Sequence, residues 1–347
     1  MQLDRKSLEQ AIALGVLPAA QAEALWRFLS QRHDDTPSFK PAHILYYLGG
    51  LIAVGALTLF MTLGWERFGG QGLLLISLAY CAAAIALTEW LLRRRLNLPA
   101  GLTAVLAIAT VPLAVYALQQ VLGLWPATGP KSYRDYHYLI DWRWLLMELA
   151  TLLAAAVALW RYRLPFLVLP IAVTLWYMSM DLTPFLFGGD PSSLFSERAK
   201  AVSAVFGLAM VGFAVVVDVR SRKAGDYAFW LYVFGVMAFW GGLSSMDSKD
   251  ELGKLMYCLI NVALIAIGAA LSRRVFAVFG GLGVAAYLGH LSHTVFKNSM
   301  LFPIALTAIG LGIVACGVLW QRHEQKLGHW LRRWLPATVR ELVERRA

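Results

Sequence analysis

Six polar side chains lie where this sequence is otherwise apolar and are of types that could do chemistry: Glu148, Asp181, Lys254, Asn261, His290 and His293. Their spacing is helical. Trp144, Glu148 and Thr151 share one face, as do Thr174, Tyr177 and Asp181; Lys254 and Asn261 align seven residues apart; Tyr287, His290 and Thr294 form a stripe with His293 beside it. Three chemistries suit such a set. A histidine near a carboxylate can carry a proton around neutral pH. A metal site would need about three or four ligands, so His290 and His293 would have to recruit Glu148, Asp181 or His137 from other segments. The third use is plain hydrogen bonding to headgroups, water or a loop where helices leave a membrane. No residue is assigned as catalytic, metal-ligating or cofactor-binding, and no cofactor is implied. The six are read as lining a substrate or ion pathway.

The elements that must position them are set by composition. Of 347 residues, 59% are hydrophobic and 15% charged, where a soluble domain carries about a quarter charged residues. Apolar runs of roughly 20 residues, enough to cross about 30 Å of hydrocarbon, recur through most of the chain. They predict an all-α, polytopic integral membrane bundle of about ten spans, near 44–63, 72–92, 100–122, 143–160, 165–186, 199–218, 227–246, 252–271, 275–293 and 301–320. The start, "MQLDRKSLEQ", lacks the pattern of a cleavable signal, so the first span is expected to direct insertion. Cys81, Cys258 and Cys316 fall inside spans and read as small packing residues.

Basic residues orient the bundle. With both termini cytoplasmic, 22 of the 31 lysines and arginines lie on the cytoplasmic side and 9 outside. The net charge of +10 is then a matter of topology and of attraction to anionic lipid headgroups, and nucleic-acid binding is not required. All four polar stripes come to the extracytoplasmic half. Glu89 and Asp218 fall at the other side, just before "RRR" and "RSRK", and are expected to pair with those clusters. Pro112, Pro165, Pro170 and Pro184 predict bends of the kind that line transporter sites, although structural kinks explain them equally.

Short amphipathic helices flank the bundle. Residues 1–43 read as a cytoplasmic helical hairpin, with Ser7 and Gln10 as a capping box, Gly15 ending the first helix and Pro18 opening the second. Residues 321–347 combine Trp330, Leu331, Trp334 and Leu335 with Arg322, Lys326, Arg332 and Arg333, the composition of a basic helix in the membrane interface. The segment 123–142 concentrates aromatics and reads as an interfacial belt or a lid.

The hairpin "LGVLPAAQAEALWRFL" followed by the span "YYLGGLIAVGALTLFMTLGWERF", with Gly49, Gly50, Gly55 and the Gly64, Trp65, Glu66 end, resembles the bacterial membrane proteins grouped as domain of unknown function 2157. The resemblance covers about the first 90 residues. It implies a bacterial inner-membrane location and no substrate.

No P-loop, GxSxG or HExxH appears, and the glycines of "VFGGLGVAAYLG" read as close helix contacts. Glu148 and Asp181 could supply paired acids only if different helices brought them together, so the reading favours a non-enzymatic protein. It is expected to move or sense a small solute or ion through an outward-facing polar cavity. The alternative is an accessory or scaffold subunit of a larger membrane complex, with a membrane-protein partner or a second copy of the chain.

Overall fold

The computed structural model describes residues 8, 11–32, 45–46, 48–50, 52–53, 55–56, 59, 68–125, 142–187, 196–221, 225–246, 248, 250–291, 304, 307 and 310–311, without the side chains of 26–32 and 182–187. Every regular element among them is helical: α1 (Ala19–Arg32), α2 (Gly69–Arg93), α3 (Asn97–Ala109), α4 (Val111–Val121), α5 (Trp142–Tyr162), a 3-10 turn (Pro165–Leu167), α6 (Val168–Phe187), α7 (Glu197–Arg220), α8 (Phe229–Ser245), α9 (Glu251–Leu271) and α10 (Arg274–His290). Five stretches are long and apolar enough to cross a membrane: α2, α3 with α4, α5, α7 and α9. Shorter apolar helices span Pro165–Asp181, Phe229–Ser245 and Arg274–His290. Half of the first expected span, most of the tenth, the tail 321–347 and the Ser7–Gln10 capping box lie outside the described residues.

Which face each helix buries identifies its solvent. On α5 the exposed large apolar side chains include Leu146, Leu149, Leu153, Val157 and Trp160, while Glu148 and Thr151 are buried. On α9 they include Leu252, Leu255, Met256, Leu259 and Val262, while Asn261 is wholly enclosed. A water-soluble helix does the reverse. Leaving one large apolar side chain in water costs roughly 1.5–3 kcal/mol, so stripes of this length fit a hydrocarbon surrounding and not an aqueous one.

The helices pack in sequence, α2 with α3 and α4, α4 with α5, α5 with α6, α6 with both α7 and α8, and α9 with α10. In addition α8 touches both α6 and α10, and so stands between the two halves. The core is correspondingly divided. Val168, Met210, Leu231, Tyr232, Val236, Leu264 and Phe276 form one cluster on the α6–α10 side. Leu73, Leu113, Tyr116, Trp144 and Met147 form another among α2, α4 and α5.

Glycines set the closest helix approaches. A Cβ on Gly242 would sit 2.6 Å from the Lys200 carbonyl oxygen, and one on Gly280 2.5 Å from that of Asn261. The "VFGGLGVAAYLG" run is therefore the α10 side of a tight helix contact, as expected of small residues in membrane packing. The third span is interrupted just before Pro112: α3 ends at Thr110, whose hydroxyl donates to the Ala107 carbonyl at 2.7 Å, and α4 begins with the proline in its first turn. Pro165 and Pro170 differ from the expectation. Pro165 opens the 3-10 turn and Pro170 is the third residue of α6, so both sit where a missing N–H costs little.

Turns between helices use the left-handed region. Gly69 (φ 60°) and Gly123 (φ 67°) flank α2 and α4, whereas α2, α5 and α9 end on non-glycine residues, Arg95 (φ 58°), Arg163 (φ 55°) and Ser272 (φ 53°). The N-terminal hairpin turns at Gly15 (φ 68°), and Pro18 precedes α1, as the sequence predicts. Ser196 caps α7 by accepting from the Ala199 N–H at 3.3 Å.

Candidate functional site

Helix α5 runs from the side expected to be outside, and α6 returns to it. Four residues per turn put Trp144, Glu148 and Thr151 on the buried face of α5, and the same periodicity carries Tyr177 and Asp181 along α6. The result is a polar layer between two apolar helices. The Glu148 carboxyl faces the Asp181 carboxyl, with the Trp144 side chain beside both. The Trp144 and Tyr177 rings stack at 6.4 Å between centroids and 26° between planes, holding the two helices together at this level.

Glu148 is 6% exposed. Both of its carboxyl oxygens, and Oδ2 of Asp181, are buried without a partner at hydrogen-bond geometry. The Thr151 hydroxyl does not serve them, since it donates to the Met147 carbonyl at 2.7 Å. One turn outward, Gln119 is buried and ties α4 to α5: its amide donates to the Arg143 carbonyl at 3.0 Å and its oxygen accepts from Trp125 at 3.2 Å. The Arg143 guanidinium lies over the Trp125 ring at 5.3 Å and the Trp142 ring at 5.5 Å. These contacts fix the α5 end from which Glu148 projects.

The other candidates assemble on α9 and α10. Glu251 accepts from Lys254 at 2.8 Å and meets His290 Nε2 at 3.4 Å. Asn261 lies two turns deeper, donates to the Tyr257 carbonyl at 2.8 Å, and fills the notch left by Gly280 and Gly283. Its Oδ1 is buried without a partner. Thus Glu148 pairs with Asp181, and Lys254 with His290 through Glu251; α8 packs between the two pairs and reaches α9 through the Ser244 and Tyr257 hydroxyls, 2.8 Å apart. His293, His137 and most of the aromatic segment 123–142 lie outside the described residues. Among those described, no three His, Cys, Asp or Glu side chains gather as a metal site would require.

At the opposite ends of the helices the described ion pairs reach across to other elements, while Arg222 and Lys223, expected partners of Asp218, lie outside the described residues. Glu89 meets Arg161 of α5 at 3.3 Å, because α2 and α5 end at the same level. Asp218 meets Arg273, in the α9–α10 turn, at 2.8 Å. Arg273 also grips both oxygens of Asp226, lies over the Tyr232 ring at 4.9 Å, and is 7% exposed. Sequence reasoning counted Arg273 only as one more basic residue in a turn. Its burial had no local signal, since its partners come from 47 and 55 residues away.

No protein-family model, no curated protein and no solved structure matches this chain.

Proposed function

We propose that this membrane protein moves or senses a small solute or ion, and that the Glu148–Asp181 pair is the centre of that activity. The observation that carries the reading is the burial of Glu148 beside the half-buried Asp181, with three of their four carboxyl oxygens enclosed and unsatisfied between lipid-facing helices. Ionisable groups at membrane depth are costly and are retained chiefly for function. A purely structural contact between α5 and α6 would be better served by apolar side chains of the same volume. The Glu251–Lys254–His290 cluster lies at the ends of α9 and α10 and would flank the entrance, with Asn261 below it.

The bundle is read with ten spans, both termini in the cytoplasm and the acid pair in the outer half, in a bacterial inner membrane. The bias of basic residues, 22 against 9, supports the orientation. The location is proposed from the resemblance of the first 90 residues to domain of unknown function 2157 alone, since no family model matches the chain.

Flux in proteoliposomes tests the reading. Wild type is compared with Glu148→Gln, Asp181→Asn and His290→Ala between about pH 5 and 8. Loss of flux in the first two, in protein that still purifies as a monodisperse species, is expected. Wild-type protein that conducts no ion or solute, with variants differing only in stability, would favour the accessory-subunit alternative.

A further inference from the structure

Resting on that reading, we propose that the species bound by the Glu148–Asp181 pair is a single proton, held between the two carboxyl groups and exchanged with water on the outer side.

The geometry narrows the choice. Two neighbouring carboxylates buried together repel one another and require a positive charge or a proton. A metal cation such as calcium takes about six to eight oxygens, and magnesium about six. Among the described residues, the side chains facing the Glu148 carboxyl are Asp181, which brings two oxygens, and Trp144, which brings none. A proton needs only one donor oxygen and one acceptor, which this pair supplies. In the exchange, an O–H bond forms on one carboxyl, the other accepts its hydrogen bond, and the pair passes from two negative charges to one. The proton comes from, and returns to, water.

Among the described residues, the charged and titratable groups around the pair are few. On α5 itself Arg143 lies over Trp125 and Trp142. From α4 comes Tyr116, whose hydroxyl accepts from Gln120; α3 and the 3-10 turn contribute none. On α6 Tyr177 lies one turn from Asp181, against Trp144. Of the helices packed on α6, α7 carries Glu197, Arg198 and Lys200 at its outer end, with Lys200 on Glu197 at 2.7 Å, and α8 carries no charged residue within Phe229–Ser245.

Infrared difference spectra of the full chain in lipid nanodiscs, recorded between acidic and alkaline buffer in H2O and D2O, test the proposal. Expected is a carboxylic-acid C=O band, shifted in D2O, that amounts to one proton per chain. It should vanish in Glu148→Gln and in Asp181→Asn, persist in Glu148→Asp, and persist in Glu89→Gln, which alters only the ion pair at the other end. Wild-type protein without the band, or a band equal in all variants, would overturn the proton site. So would its displacement by sodium or calcium at constant pH, which would make the pair a metal-cation site. The band present in protein that conducts nothing would overturn the transport reading and leave the proton site standing.

Discussion

At the scale of single residues, two buried charge clusters call for opposite outcomes on mutation. Glu148 and Asp181 hold one proton and one net negative charge between them, so Glu148→Gln or Asp181→Asn puts an amide donor in place of that proton with little change of shape. Tm by scanning fluorimetry is expected to stay level or rise by a few degrees while activity falls. Arg273 joins unlike charges. Arg273→Ala leaves Asp218, 4% exposed, without that partner, at a cost of about 3 kcal/mol, visible as a Tm lower by several degrees. Both sets show where the sequence is legible. Glu148 and Asp181 stand out because an acid in an apolar run is anomalous wherever it folds. Arg273 does not, because a basic residue in a turn is ordinary, and only the packing of α7, α8 and the α9–α10 turn makes it a buried hub.

Helices were easier to read than their partners. The expected spans 143–160, 199–218 and 252–271 become Trp142–Tyr162, Glu197–Arg220 and Glu251–Leu271, since hydropathy and length set them locally. Pro165 and Pro170 were read as bends because a span of apolar residues does not reveal where its helix begins. Nor does periodicity tell which polar residue meets a neighbour's glycine. The α9–α10 contact is the case in point, since a Cβ on Gly283 would collide with the Asn261 side chain. Gly283→Ala should destabilise by about 1–3 kcal/mol. Adding Asn261→Ala should recover part of that loss, and a double-mutant cycle on Tm checks the coupling. Additive effects would mean the two side chains do not compete for the same space.

For the molecule as a whole, the orientation is testable by single-cysteine labelling in spheroplasts, with Cys81, Cys258 and Cys316 replaced by serine. Gly123→Cys is expected to react with a membrane-impermeant maleimide from outside. Arg95→Cys and Ser272→Cys should react only after permeabilisation. The reverse pattern would place the acid pair at the cytoplasmic side.

The same turns carry a further consequence. On the side expected to be outside, the left-handed residues are Gly69, which opens α2, and Gly123, which follows α4; on the other side they are Arg95, Arg163 and Ser272, with Gly15 in the N-terminal segment. An L-residue there costs roughly 1–2 kcal/mol, so the chain accepts poorer turn geometry at the places where a cation anchors the membrane orientation. Arg95→Gly with Arg163→Gly should therefore give a protein that is harder to unfold and yet less uniform in how it inserts: a small rise in Tm accompanied by dual labelling at residue 123. Insertion fidelity and folding stability would then be competing demands on the same two backbone positions.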